Sequence, residues 1–196
     1  MICIPTSLVI FDSEFTAWEG SRDRDWQGEN EYKEIIQLAA VRLEEEQGQF
    51  QIRETFNQLI VPNINPILSD YIVKLTGINQ HLLDQTGVDF AAALNTFHVF
   101  SDLGHIPCYA WGNDDEILRE NCSLNAIPLP IFARFTDLRQ LAEQAGTAMA
   151  HVSSGELANK LGMTLSGQTH NALHDVQSLT LALNYWVDNG LFQIEY

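Results

Sequence analysis

At 196 residues the chain can bury a sizeable core, and its length predicts a single domain spanning residues 1–196. With 45% hydrophobic and 18% charged residues, the composition excludes a disordered or fibrous protein. The net charge of −16, from 26 acidic against 10 basic residues, argues against a broad basic surface built to hold a long polyanion.

The N-terminal apolar run is broken by Pro5, lacks Lys and Arg, and leads into acidic residues, so it does not read as a signal peptide. No apolar run approaches the length of a membrane span, and the expectation is a soluble, cytoplasmic protein with no membrane contact. Cys3, Cys108 and Cys122 are widely spaced and form no C-x-x-C pair, which fits packed thiols in a reducing compartment rather than disulfides or a zinc site.

In chain order, residues 8–11 (Leu-Val-Ile-Phe) read as a buried central strand delivering Asp12-Ser13-Glu14 at its carboxyl end. Residues 17–33, polar with two Gly and two Trp, read as a long loop beside the site. Residues 34–43 and 51–61 read as strands of an antiparallel hairpin. Short helical pieces follow at 69–75 and 80–83, then a helix at 89–100 opened by Asp89 as N-cap, with Phe90, Leu94 and Phe97 on one face. Residues 105–111 return as a strand, 114–122 as a helix and 131–135 as another strand. In the last helix, Ala172, Val176, Leu179, Leu183 and Trp186 are spaced four, three, four and three apart, making one apolar stripe. The order βββαβαβα predicts an α/β fold with a mixed five-stranded sheet flanked by helices.

Three segments carry candidate chemistry. Asp12 and Glu14, two apart on a strand, share a face and repel each other unless a cation lies between them. By itself this pair is a weak signal, and its plain reading is two solvated acids at a strand end. Residues 170–175 (His-Asn-Ala-Leu-His-Asp) place His170 at the start of the final helix and Asp175 beside its core-facing stripe. The plain reading of Asp175 is a first-turn acid facing the helix dipole. In residues 111–115 (Trp-Gly-Asn-Asp-Asp) a strand gives way to a helix. Helical geometry does not choose between Asp114, also a good N-cap, and Asp115. His174, four residues after His170, raises a zinc-binding helical pair, but with no third nitrogen or sulfur ligand nearby it reads as a surface histidine.

With these motifs in place, the sequence resembles the DEDDh subfamily of DnaQ-like 3′-to-5′ exonucleases, which have a ribonuclease H-like fold. The resemblance rests on residues 11–16 (Phe-Asp-Ser-Glu-Phe-Thr), residues 111–115, and His170 and Asp175 at the spacing H-x-x-x-x-D. Residues 16–20, 65–70 and 75–78 are similar to the branch that trims histone-mRNA ends and small RNAs. The resemblance implies that Asp12, Glu14, Asp115 and Asp175 hold two divalent metal ions, magnesium or manganese, and that His170 is the general base. Asp115 is preferred over Asp114 because the family places its acid three positions after the motif's glycine; relatives often carry an aromatic where Asp114 stands. The implied reaction is metal-dependent removal of nucleoside 5′-monophosphates from 3′ ends of single-stranded RNA or DNA.

The resemblance further implies that the terminal nucleotide lies between Phe15 and Thr16 on one side and residues 75–78 (Leu75, Thr76, Gly77 and Ile78) on the other. Trp18 or Trp111 offers a surface for base stacking, with Asn113 beside it, and Phe15 and Trp111 read equally as core. Arg22, Arg24 and Lys33 in the long loop are candidate phosphate contacts. For so acidic a chain, either bound metals supply the positive field or the substrate is short. Two alternatives stand beside this expectation: a nuclease for very short oligonucleotides, and a non-catalytic module binding nucleic-acid ends or protein.

Overall fold

The computed structural model describes residues 2–195. Strands β2 (Ser7–Phe15), β3 (Ile35–Glu46), β4 (Gln49–Leu59), β5 (Cys108–Ala110) and β6 (Phe135–Asp137) form a mixed sheet in the order β4-β3-β2-β5-β6. The β2–β3 and β3–β4 pairs are antiparallel, whereas β5 runs parallel to both β2 and β6. The five-stranded sheet is the one expected.

Central position explains the composition of β2: residues 8–14 are all buried, so the strand needs apolar side chains on both faces. Leu8 and Ile10 pack with Val41, Leu43 and the stripe of the last helix, α7 (Ala172–Asp188). On the opposite face, Val9 and Phe11 pack with Leu94 and Phe97 of α3 (Phe90–Phe100) and Leu118 of α4 (Asp114–Leu124). Strand alternation then dictates the rest: Asp12 and Glu14 continue the α7 face, and Ser13 continues the α4 face. All five residues of the α7 stripe are at most 1% exposed.

Helices α1 (Asp70–Thr76) and α2 (Gln80–Thr86) lie where short helical pieces are expected. Ser69, Asn79 and Asp89 each accept a hydrogen bond from the first turn of the helix that follows. Gly77 ends α1 at φ 75°, a left-handed cap that favours glycine.

Two features depart from the expected order. Strands β1 (Ile2–Pro5) and β7 (Phe192–Glu195) pair in parallel outside the main sheet, with Ile4 and Ile194 closing the end of the α7 core. The strand expected at 131–135 begins only at Phe135. Gly104 explains the delay: its carbonyl accepts from Ala133 N at 2.7 Å, and a Cβ there would stand 2.2 Å from Ile131 O, so residues 131–133 are bound to the preceding turn. Cys3 is exposed, whereas Cys108 and Cys122 are buried free thiols. No helix among the described residues is long and apolar enough to cross a membrane.

Candidate active site

At the carboxyl end of β2, three elements converge on Asp12 and Glu14. Asp175 arrives from the first turn of α7, Asp114 from the first residue of α4, and Ser154 from a 3-10 turn (Ser154–Glu156). Asp12, Glu14 and Asp175 are 9%, 8% and 3% exposed, so these acids are held away from bulk water. Ser13, on the α4 face, donates to Asp114 Oδ1 from both its backbone N (3.0 Å) and its Oγ (2.6 Å). Ser154 Oγ donates to Asp175 Oδ2 at 3.2 Å and lies 3.4 Å from Asp12 Oδ1, bridging α7 to β2. Close packing makes that bridge possible: a Cβ on Gly155 would stand 2.3 Å from Asp175 Oδ1.

The acid expected from the second motif is Asp115, and here the structure corrects the expectation. Asp114 lines the cleft with the other three acids. The Asp115 side chain is 30% exposed and pairs with Arg119 one turn later, at 3.6 Å. A tertiary contact supplies the reason: Ser13 of β2 holds Asp114 by two hydrogen bonds, whereas Asp115 turns along the helix to Arg119.

His170 also lines the cleft. It precedes α7, held at φ 62°, and with Glu14 and Asp175 offers ligand atoms lying within 4.8 Å of one another. His174 differs from its expected surface position. It is 5% exposed, and its Nδ1 lies 3.1 Å from Asp175 Oδ1. Because α7 begins only after Asn171, His170 and His174 are not a helical i, i+4 pair.

Burial and crowding dominate the electrostatics. Desolvation, followed by repulsion from Asp114, Asp175 and Glu14, raises the Asp12 pKa well above the ordinary aspartate range. Glu14 is raised for the same reasons, first burial and then Asp175 and Asp114. Burial pushes Asp114 up to about 6 even though Ser13 opposes it, and burial raises Asp175 against the opposing effects of His174, His170 and Ser154. Each of the four acids is thus raised, with burial as the first cause.

The cleft around them has a volume of about 920 Å³. Of the residues expected to touch substrate, Phe15, Leu75, Trp111 and Asn113 line it. Trp111 serves the core as well, stacked 5.7 Å from Trp186 and donating from Nε1 to Val152 O at 2.8 Å. Thr16, Trp18, Thr76 and Gly77 lie outside the cleft lining. Thr16 is buried, bonding Tyr32 O and Glu34 N to hold the long loop against β3. The Thr76 hydroxyl donates back to Ile72 O and accepts from Ile78 N. Gly77 lies against Gln168 in a neighbouring groove.

Arg22 and Lys33 line the cleft as expected, while Arg24 is engaged by Glu31. Sequence reasoning missed Tyr71, Arg139, Ser154 and the structural need for Gly155. Only the small residues Ser153-Ser154-Gly155 hinted that a close contact forms there.

The profile of the exonuclease family (RNase T) matches residues 9–183. The 3′-5′ exonuclease Snipper of Drosophila melanogaster is 26% identical over 213 residues, covering 97% of this chain and 73% of that protein. ERI1 exoribonuclease 2 of Xenopus laevis is 36% identical over 91 residues, which are 46% of this chain but only 12% of the frog protein. The chain thus spans a small part of that relative. Among solved structures, the nuclease domain of 3′hExo, a DEDDh family member bound to rAMP, matches with a TM-score of 0.78 at 25% identity, covering 95% of this chain and 94% of that one. Cell-death related nuclease 4 (CRN-4) shares the fold, with a TM-score of 0.76 at 23% identity, covering 96% of this chain and 66% of that one. The five-stranded sheet and its flanking helices are those of the ribonuclease H-like DEDDh nucleases. Matched over most of its length, the chain belongs to the exonuclease (RNase T) family.

Proposed function

We propose that the protein is a 3′-to-5′ exonuclease that removes nucleoside 5′-monophosphates from single-stranded RNA or DNA with the help of two divalent metal ions. The observation that carries this reading is the convergence of four acids, at least three of them under 10% exposed, on one cleft that also holds His170. Hard carboxylate oxygens without sulfur ligands suit magnesium or manganese, and crowded acids with raised pKa values are a site that a cation would relieve. Asp12, Glu14, Asp114 and Asp175 would hold the ions. When bound, such a pair supplies an activated water and a counter-charge for the leaving 3′ oxygen.

The chain's own groups do the rest. His170, on the cleft wall beside Glu14 and Asp175, accepts the proton of the attacking water on a ring nitrogen. Ser13 and Ser154 fix the carboxylates they bond. Phe15, Tyr71, Leu75 and Trp111 offer the terminal nucleotide apolar and aromatic surface, and Arg22, Lys33 and Arg139 face its phosphates.

A second reading, a preference for very short oligonucleotides, is favoured by the net charge of −16 and by the small number of cations along the cleft.

Digestion of 5′-labelled RNA and DNA tests the proposal. The expected pattern is a ladder shortening from the 3′ end, abolished by chelator, restored by magnesium or manganese, and blocked by a 3′ modification. His170→Ala should slow it by roughly 10²–10⁴-fold, the usual contribution of a general base. Digestion from the 5′ end, or a rate indifferent to chelator, would refute it.

A further inference from the structure

The proposed reaction gives His174 no role, yet this histidine is buried against Asp175. The Nδ1 of its ring lies 3.1 Å from Asp175 Oδ1, and the side chain of each is about 5% exposed. Gly167, at φ 137°, packs on the ring's other flank, where a Cβ would stand 2.5 Å from Cδ2. That loop position admits only a residue without a side chain while the ring stays in place. Beyond the ring lies a groove lined by Gln37, Asn57, Gln168, Asn171 and Gln177, among other uncharged residues. Apart from His174 itself, no ionisable residue lines that groove, and the ring's hydrogen-bond partner is Asp175.

Asp175 is thus gripped on both oxygens: His174 on Oδ1 and Ser154 on Oδ2. A carboxylate at the start of a helix can rotate about its side-chain torsions, and each grip removes such freedom. A carboxylate oxygen has two lone pairs, so accepting one hydrogen bond from an imidazole N–H leaves the other free for a cation. Hydrogen-bond partners behind a metal ligand orient it in this way in many metal sites.

We propose that His174 is a positioning residue: as the Nδ1–H tautomer it donates to Asp175 and holds that carboxylate in the orientation that binds the divalent metal. The inference rests on the metal-binding reading of the site. It predicts that the hydrogen bond, rather than the bulk of the ring, sets metal affinity.

The test compares the wild-type chain with His174→Asn, whose amide nitrogen can take the place of Nδ1, and with His174→Phe, which keeps the volume but lacks a donor. Manganese affinity is measured by titration calorimetry, and the Tm of the metal-free proteins is recorded alongside. The expected result is manganese binding weakened by about 10-fold or more in His174→Phe and largely recovered in His174→Asn. Equal affinity in wild type and His174→Phe would overturn the inference. So would His174→Asn binding as weakly as His174→Phe. Failure of the wild type to bind manganese would overturn the metal-binding reading and this inference together.

Should His174→Phe not fold, nitrogen-15 spectra of the unmodified protein decide the matter. A protonated Nδ1 whose resonance shifts when magnesium is added supports the proposal. An Nε2–H tautomer insensitive to magnesium contradicts it.

Discussion

Asp114 and Asp115 differ by one position along a helix, and that step separates an acid held against β2 by Ser13 from one paired with Arg119. Asp114→Asn should therefore lower activity by about 10²-fold or more, the scale of losing part of a metal's charge stabilisation, with Asp115→Asn within about threefold of wild type. Single-turnover hydrolysis of a labelled oligonucleotide measures both. The D-x-E pair was legible in the sequence because strand alternation alone puts two such residues on one face. The second motif was not, because two adjacent acids at a helix start fit the same pattern and counting from Gly112 selects Asp115, which turns to Arg119. The two hydrogen bonds from Ser13 fix the choice, and that contact is a tertiary fact. Likewise Thr16 and Thr76, read as substrate contacts, spend their hydroxyls on backbone groups that anchor the long loop and close α1.

Four acids drawn together from β2, α4 and α7 place electrostatic strain between those elements. A carboxyl whose folded pKa is raised binds protons more tightly in the native state than in the unfolded chain. Its effect on stability is therefore unfavourable above the folded pKa and is relieved as pH falls through the window between the two values, from about 6 down to an ordinary 3.8 for Asp114. The metal-free protein should gain Tm as pH is lowered from 7.5 to 5.5. Manganese should raise Tm more at pH 7.5 than at 5.5, because at the higher pH the ion displaces fewer protons. Differential scanning calorimetry with and without the ion checks both. In the metal-free protein, Asp114→Asn keeps an acceptor for Ser13 and should raise Tm by a few degrees.

Packing between elements is equally sharp at Gly155. Gly155→Ala puts a methyl group onto Asp175 and should cost about 1–3 kcal/mol of stability, read from denaturant unfolding, together with weaker manganese binding. Most elements were legible from periodicity and capping residues. The β1–β7 pair was not, because its partners lie at opposite ends of the chain, and the late start of β6 reflects a contact at Gly104 that no local pattern encodes.

For the molecule as a whole, a charge of −16 and three cations along the cleft set how it can hold a polyanion. One of the three, Lys33, already faces Asp25 at 3.6 Å. Other basic side chains are engaged away from the cleft, with Arg42 on Glu54 and Arg53 on Glu44 and Glu46. Three phosphate contacts to a single strand correspond to a slope of about −2 for log affinity against log salt, since each neutralised phosphate contributes about −0.7. Binding of a fluorescent oligonucleotide to the His170→Ala protein across a salt series measures this, and a slope steeper than about −5 would reveal a basic track not present here. The proposed activity requires Asp12, Glu14, Asp114 and Asp175 together to hold divalent cations. Anomalous diffraction from a crystal soaked in manganese reads this out: peaks bound by these four carboxylates are expected, and a cleft without peaks, or manganese bound at Asp115 instead of Asp114, would refute it.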